Sequence, residues 1–162
     1  MKTSILSSTA ALTVKTLQDH HATLATAESC TGGLIAKSIT DISGSSAVFA
    51  GGVVTYTNRI KTEVLGVDAC IIQEHTEVSH ACAKAMAERA RGMLGTDYAI
   101  STTGYAGPSG GTEQDPVGTV YIGVATPNGV RSERICVERA TRAQVRQAAV
   151  CHALQMLLQQ MQ

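Results

Sequence analysis

The sequence predicts an α/β fold, a single domain in which a mixed β-sheet lies between two layers of helices as a three-layer α/β/α sandwich. Segments with helical apolar spacing are interspersed with short runs of β-forming residues along the chain. The runs 117–126 and 130–137 flank a Pro-Asn-Gly turn, which predicts a hairpin. A long apolar stripe beginning at Thr141 predicts a closing helix.

The earlier elements follow from the same patterns. Apolar spacing predicts helices over 8–18 and 31–42, and β-forming runs predict strands over 22–26 and 48–56. A glycine pair at 51–52 inside the second of these strands indicates a bulge or a close backbone approach.

The middle of the chain contains two more predicted helices and one strand. Asn58 is predicted to cap a short helix that carries Lys61, and Ser79 to cap the next helix. The run 98–103 predicts a strand that leads into the most glycine-dense loop of the chain, 104–111.

Composition limits the classes of partner. At 162 residues the chain has the size of one domain, 1–162. Thirteen basic residues balance thirteen acidic ones without clusters, which disfavours nucleic acid and anionic membranes as main partners. No segment is long and apolar enough to predict a membrane span. A small polar molecule is therefore the expected ligand.

The cysteines and histidines predict neither a disulfide framework nor a metal site. Five cysteines are an odd number, and they are scattered: Cys30, Cys70, Cys82, Cys136 and Cys151. No histidine and carboxylate spacing resembles a ligand set. We therefore expect a reducing, cytoplasmic location and no cofactor.

The segment TAESCTGG, residues 26–33, lies where a strand gives way to a helix. Ser29 in this turn is either a nucleophile or, like Thr31, an ordinary helix cap. Gly32 and Gly33 permit unusual dihedrals, and amides at a helix start attract anions. The amides from Cys30 to Gly33 are therefore the candidate oxyanion donors. The Cys30 thiol itself is interpreted as a bystander, although a helix start would stabilise a thiolate.

Three loops, 28–33, 55–61 and 104–111, are predicted to share one end of the sheet, where open α/β sheets bind ligands. They carry or adjoin four reactive side chains: Ser29, Tyr56, Lys61 and Thr103. A lysine acts as a base when burial or nearby positive charge holds its amine neutral, and a tyrosine relays or orients a proton. This set is favoured over a histidine-based triad, because all five histidines lie in surface or structural contexts.

Two anion-binding alternatives stay open at this point. Arg142 and Arg146 share a face of the last helix, where they either clamp a phosphate or lie on a solvated surface. The run GGLIAKS ends like a phosphate loop, but Ala36 stands where that motif needs glycine.

The runs TAESCTGG, DISGSSAVFAGGVVTYTNRIKTEVLGV, TTGYAGPSGG and PVGTV together resemble the C-terminal domain of the competence and damage-inducible protein family, CinA. The resemblance spans nearly the whole chain, and several motifs match in order. It implies a metal-independent serine amidohydrolase that converts nicotinamide mononucleotide to nicotinate mononucleotide and ammonia. Two other interpretations are a catalytically silent nucleotide-binding or regulatory paralogue and a protein-interaction module.

The resemblance also implies a role for each site residue. Ser29 is the implied nucleophile, Lys61 its base and Tyr56 an assisting group. Thr103, with Gly104 beside it, is expected to orient or bind the substrate, and Arg142 to meet the nucleotide phosphate. A homo-oligomer is expected, because neighbouring subunits often complete small α/β sites.

The sequence departs from the family pattern in four places. The run 140–142 reads Ala-Thr-Arg where Gly-Asp-Arg is usual, and Asp115 stands where lysine is common before PVGTV. His80 replaces an acidic residue, and Tyr105 replaces a smaller aliphatic one. These changes are expected to alter phosphate affinity and to narrow the pocket, and none removes an implied catalytic group.

Overall fold

The computed structural model describes residues 4–162 and confirms the predicted three-layer α/β/α fold. Its helices are α1 (Ile5–Asp19), α2 (Leu34–Thr40), α3 (Asn58–Glu63), α4 (Ala69–His75), α5 (His80–Leu94) and α6 (Arg142–Gln160). Its strands are β1 (Leu24–Glu28), β2 (Phe49–Val54), β3 (Tyr98–Gly104), β4 (Thr119–Thr126) and β5 (Gly129–Cys136). A single 3₁₀ turn, Ser45–Ala47, precedes β2.

The five strands form one mixed sheet in the order β2-β1-β3-β4-β5. Strand β1 runs parallel to both of its neighbours, whereas β4 is antiparallel to β3 and to β5. The predicted hairpin is confirmed, with Thr126 opposite Gly129. Because β1, β2 and β3 are parallel, their carboxyl ends open at one edge of the sheet, and the segments after them meet there.

Helices cover both faces of the sheet. On one face α1, α2 and α6 pack against large side chains such as Leu24, Ile100 and Ile122. On the other face α5 packs against small ones such as Ala25 and Ala99. Strand β1 is buried along its whole length, as expected for a central parallel strand.

Helix α5 approaches the sheet closely at a glycine in β4. A Cβ atom at Gly123 would collide with the carbonyl oxygen of Ala83 in α5. The same carbonyl accepts a hydrogen bond from the hydroxyl of Ser101 in β3. This close packing accounts for the small residues on that face of the sheet.

The glycine pair in β2 produces both of the predicted features. The register between β1 and β2 shifts by one residue, since Leu24 pairs with Phe49 and Ala25 pairs with Gly51. A Cβ atom at Gly52 would collide with the hydroxyl of Thr26. The absence of a side chain at Gly52 therefore lets β2 lie close to the central strand.

Several predicted boundaries are wrong, each for a local reason. Strand β1 extends to Glu28 rather than ending at Thr26, because pairing with β3 continues through Thr102. Helix α2 is shorter than 31–42, because residues 29–33 form a turn that ends with Gly33 at φ 94°.

Two predictions between β2 and β3 also need correction. Thr57, rather than Asn58, caps α3 by accepting a hydrogen bond from the amide of Ile60. Helix α4 is absent from the predictions because it buries no side chain completely and shows no apolar stripe. The Ser79 cap of α5 is confirmed, as its side chain accepts from the amide of Cys82.

Across residues 4–162, no helix is both long and apolar enough to cross a bilayer.

Candidate active site

A cavity of about 240 Å³ lies beyond the carboxyl ends of β1, β2 and β3. The three loops that were predicted to converge contribute to it. Among its lining residues are seven of the expected site residues: Ser29, Cys30, Tyr56, Lys61, Thr103, Gly104 and, from the start of α6, Arg142. Segments far apart in sequence thus form one concave surface.

Ser29 and Lys61 make direct contact at the base of this cavity. Ser29 follows β1 immediately and extends its pairing, since its amide donates to the carbonyl of Thr102. The Nζ atom of Lys61, from α3, lies 3.0 Å from the Ser29 Oγ atom and 3.1 Å from the carbonyl oxygen of Thr55. Both side chains are buried, with Lys61 only 1% exposed. This spacing is within reach for direct proton transfer.

Burial lowers the pKa of Lys61 below its usual value near 10.5. The nearby thiol of Cys82 and the carboxyl of Glu77 oppose the shift but do not reverse it. Within residues 4–162, Lys61 makes no ion pair. Burial thus makes the neutral amine, which is the form that accepts a proton, easier to reach than in an exposed lysine.

The start of α2 is occupied by a carboxylate of the protein itself. Glu28 is 1% exposed and accepts hydrogen bonds from the amides of Gly33, Ile35 and Ala36, at 3.1, 3.0 and 2.9 Å. The hydroxyl of Thr31 donates to the same carboxylate at 2.6 Å. The anion at this helix end is thus Glu28, and these amides are not available to a substrate.

The hydrogen bonds within this turn exclude two of the four amides that were expected to stabilise an oxyanion. The amide of Gly33 is used by Glu28, and the amide of Gly32 donates to the carbonyl of Ser29. Within residues 4–162, the amides of Cys30 and Thr31 donate to no protein acceptor. These two amides are the donors left next to Ser29.

The Cys30 side chain is a buried thiol in the turn after Ser29. Burial raises the pKa of its thiol to about 12, so the thiolate that a helix start would favour does not form at neutral pH. All five cysteines are free thiols. Among residues 4–162, no three His, Cys, Asp or Glu side chains gather as a metal-binding group.

Thr103 and Gly104 end β3 at the wall of the cavity. The Thr103 hydroxyl donates a 2.7 Å hydrogen bond to the carbonyl of Glu77, in the segment between α4 and α5. Its proton therefore secures this segment to the sheet. A side chain at Gly104 would collide with the carbonyl of Thr119, so glycine allows β3 to continue beside β4.

Tyr56 and Arg142 form the rim of the cavity. Arg142 donates to the Tyr56 hydroxyl at 3.0 Å and to the carbonyl of Gly107 at 2.8 Å. Tyr56 is half exposed, and its hydroxyl makes no hydrogen bond with Ser29 or Lys61. The structure thus groups Tyr56 with Arg142 rather than with the pair at the base.

Arg146 lies one turn further along α6 and faces the Ser29 turn. Its guanidinium donates to the carbonyl of Thr31 at 2.8 Å, while its Nε atom is buried without a hydrogen bond. Arg146 therefore stabilises the Ser29 turn and is partly buried, so the alternative of a solvated surface position does not apply to it.

A second cavity of about 880 Å³ adjoins the first, and Val78 and Tyr105 line both. His80 and Asp115 line only the larger cavity. Asp115 accepts hydrogen bonds there from Tyr121, at 3.0 Å, and Arg134, at 2.9 Å. Two of the residues that depart from the family pattern, His80 and Asp115, are therefore outside the smaller cavity, whereas Tyr105 lines it.

Two carboxylates of the site are missing from the sequence prediction. Glu28 stands inside the TAESCTGG segment, and its acidic side chain shortly before a helix start, which attracts anions, is the only local signal of its role. Glu77 lies in a polar segment with no motif around it. Only the folded chain brings Glu77 to the cavity.

The family model of the CinA C-terminal domain matches residues 6–161. This chain belongs to the CinA C-terminal domain family. A CinA-like protein of Myxococcus xanthus is 50% identical over 151 residues, which cover 93% of this chain and 36% of the relative. A CinA-like protein of Synechocystis is 45% identical over 148 residues, covering 90% of this chain and 36% of the relative. The chain thus spans about a third of the length of these CinA relatives.

Solved structures of CinA proteins have the same fold. The competence/damage inducible protein CihA from Agrobacterium tumefaciens superposes with a TM-score of 0.95 at 36% identity, covering 100% of this chain and 99% of that one. A CinA superfamily protein from Escherichia coli gives a TM-score of 0.91 at 29% identity, covering 96% and 90%. The domain fold is therefore the one shared by the CinA superfamily.

Proposed function

We propose that this CinA domain is an amidohydrolase that deamidates nicotinamide mononucleotide to nicotinate mononucleotide and ammonia. The observation that carries the proposal is the 3.0 Å contact between Ser29 Oγ and the buried amine of Lys61. A hydroxyl next to a neutral buried amine is an activated nucleophile. Family membership supports the assignment to this class of domain.

In the proposed acylation step, the Ser29 Oγ atom attacks the carboxamide carbon while its proton passes to Lys61 Nζ. The carbonyl oxygen becomes an oxyanion that the amides of Cys30 and Thr31 stabilise. Such preorganised donors are each worth about 10²–10³ in rate. When the tetrahedral intermediate collapses, the C–N bond breaks and Lys61 returns the proton to the leaving amine, which departs as ammonia.

In the proposed deacylation step, water attacks the acyl ester formed on Ser29. Lys61 accepts a proton from this water and then returns it to the Ser29 oxygen as the ester bond breaks. The carboxylic acid product leaves as nicotinate mononucleotide. The same buried base thus serves both halves of the reaction, and the chain's own groups carry each proton.

The rim provides the second half of substrate recognition in this proposal. The Arg142 guanidinium has no carboxylate partner within residues 4–162, and it is held by Tyr56 and Gly107. A guanidinium held in this way suits a phosphate. We propose that the nucleotide phosphate lies at Arg142 while the carboxamide reaches Ser29.

The decisive experiment measures ammonia released from nicotinamide mononucleotide by the wild-type protein and by Ser29→Ala. We expect steady turnover by the wild type and a loss of at least about 10³-fold in kcat for the variant. The exposed Ser46 supplies a matched control, because Ser46→Ala removes a hydroxyl far from the cavity. Undiminished turnover by Ser29→Ala would contradict the mechanism, and binding of the nucleotide without ammonia release would favour a silent paralogue.

A further inference from the structure

Glu77 holds a fixed position beside the Ser29–Lys61 pair. It lies between α4 and α5, after Thr76, whose φ of 67° belongs to the left-handed region, and before the buried Val78. Its carbonyl oxygen accepts the 2.7 Å hydrogen bond from Thr103. The backbone of Glu77 is thereby joined to the end of β3.

The side chain of Glu77 lines the 240 Å³ cavity and is partly buried. Within residues 4–162, its carboxylate makes no hydrogen bond and no ion pair. It lines the same cavity as Lys61, and its charge opposes the effect of burial on the pKa of Lys61. It also adds to the effect of burial in raising the pKa of Tyr105.

The charges around the cavity are few and separated. Among the described residues, the charged ones that line it are Lys61, Glu77 and Arg142, and Glu77 is the only carboxylate of these. Burial lowers the pKa of Lys61 and so disfavours its charge, and the other charged groups are the Glu77 carboxylate and the Arg142 guanidinium at the rim. A ligand that complements this cavity carries positive charge near its reacting group and negative charge at its far end.

We infer that Glu77 is a specificity-determining residue that selects amides attached to a positively charged ring. The substrate class is an N-substituted pyridinium carboxamide, in which the ring nitrogen bears a full positive charge next to the amide. This inference rests on the proposed function, and it assigns recognition of the ring charge to the Glu77 carboxylate. An unpaired, partly buried carboxylate stabilises such a cation and discriminates against a neutral ring of the same shape.

The test compares two ligands that differ in ring charge and share ribose, phosphate and carboxamide. Oxidised nicotinamide mononucleotide has a pyridinium ring, and its reduced form has a neutral dihydropyridine ring. Calorimetry would give both dissociation constants for Ser29→Ala and for Ser29→Ala with Glu77→Gln. We expect Ser29→Ala to bind the oxidised form more tightly, and Glu77→Gln to reduce that preference at least tenfold.

Controls separate the role of Glu77 from general effects. Glu77→Asp keeps the charge and should retain most of the preference, and Glu74→Gln removes an exposed carboxylate outside the cavity and should leave it unchanged. Equal ratios with and without Glu77 would overturn the inference. Glu77→Gln also removes a charge that raises the pKa of Lys61. Any resulting loss of positive charge on Lys61 would favour the cationic ligand, which is opposite to the expected loss of preference.

The binding experiment is independent of the proposed amidase reaction. Absence of ammonia release by the wild type would contradict the proposed function, while the oxidised-to-reduced preference in Ser29→Ala would still report on Glu77. Conversely, turnover with an unaltered preference in Glu77→Gln would overturn only the role of Glu77.

Discussion

The guanidinium of Arg142 is hydrogen-bonded to the hydroxyl of Tyr56 at 3.0 Å, which joins the first helical residue of α6 to the segment after β2. The resemblance to CinA domains suggested that Tyr56 assists Lys61 in proton transfer. The Tyr56 hydroxyl makes no hydrogen bond with Ser29 or Lys61, so we propose that Tyr56 positions Arg142.

Tyr56→Phe is therefore expected to affect substrate binding more than chemistry. Loss of one hydrogen bond to a charged group should raise KM about 3- to 10-fold, with kcat within about twofold of the wild type. Steady-state kinetics with nicotinamide mononucleotide would measure both constants. Tyr98→Phe, at the opposite end of β3, is the matched control. A fall of 100-fold in kcat at constant KM would restore the proton-relay role.

Lys61→Met is expected to change how stability depends on pH. In the wild type, the folded pKa of Lys61 lies below 10.5 while the unfolded chain keeps the ordinary value. Between these two pKa values the unfolded state binds one more proton than the folded state. The free energy of unfolding of the wild type should therefore fall, relative to Lys61→Met, by about 1.4 kcal/mol for each pH unit of acidification.

Urea unfolding of both proteins at a series of pH values from 10 downward would measure this slope. The difference between them should become constant below the folded pKa of Lys61, because both states are then protonated. Parallel stability curves between pH 10 and pH 7 would mean that Lys61 keeps its charge in the folded protein, and the base would then be unavailable.

Glu28→Gln is expected to weaken both the turn and the reaction. The carboxylate accepts from three backbone amides and from the Thr31 hydroxyl, and an amide group presents a donor where one of these donors now points. We expect the free energy of unfolding to fall by about 1–3 kcal/mol. We also expect a lower kcat, since the amides of Cys30 and Thr31 lie in the same turn.

Chemical unfolding and kinetics of Glu28→Gln would be compared with Glu63→Gln. Glu63 is exposed and pairs with Arg59 one turn away, so its loss should cost less than about 0.5 kcal/mol. Equal stability of the two variants would show that the buried carboxylate is not the anchor of the turn.

Gly123→Ala is expected to destabilise the contact between α5 and the sheet. The new methyl group would overlap the backbone carbonyl of Ala83, which cannot move without shifting the helix. Overpacking of this kind costs about 1–3 kcal/mol. Gly92→Ala provides the control, because Gly92 lies in the same helix with open space around it and should gain about 0.5–1 kcal/mol. Thermal unfolding should show a lower midpoint temperature for Gly123→Ala and a higher one for Gly92→Ala than for the wild type.

The sequence was sufficient to predict the layers, the hairpin and the placement of the loops that carry Ser29 and Lys61 at one end of the sheet. These follow from apolar periodicity and from the rule that parallel strands open at one edge. Helix α4 was missed because it carries no buried stripe, and the β1 boundary was wrong because Glu28 continues the pairing with β3.

The hydrogen bonds made by the site residues were harder to predict than the identity of those residues. The spacing of residues does not show that the helix-start amides are bound by Glu28, nor that the Tyr56 hydroxyl faces Arg142. Glu77 reaches the cavity through a loop that is held by the Thr103 hydroxyl, and such long-range contacts leave no local pattern. The prediction that the protein forms a homo-oligomer stays a prediction.

Val78 and Tyr105 form the boundary between the two neighbouring cavities, and neither contributes a group to the proposed chemistry. The residues of the proposed reaction are thus different from the residues that limit the size of the bound molecule. Substitutions at Val78 and Tyr105 would change the size of the molecule that fits, while the Ser29–Lys61 pair stays the same. Under the proposed mechanism, such exchanges alter which amides fit and leave the reacting groups in place.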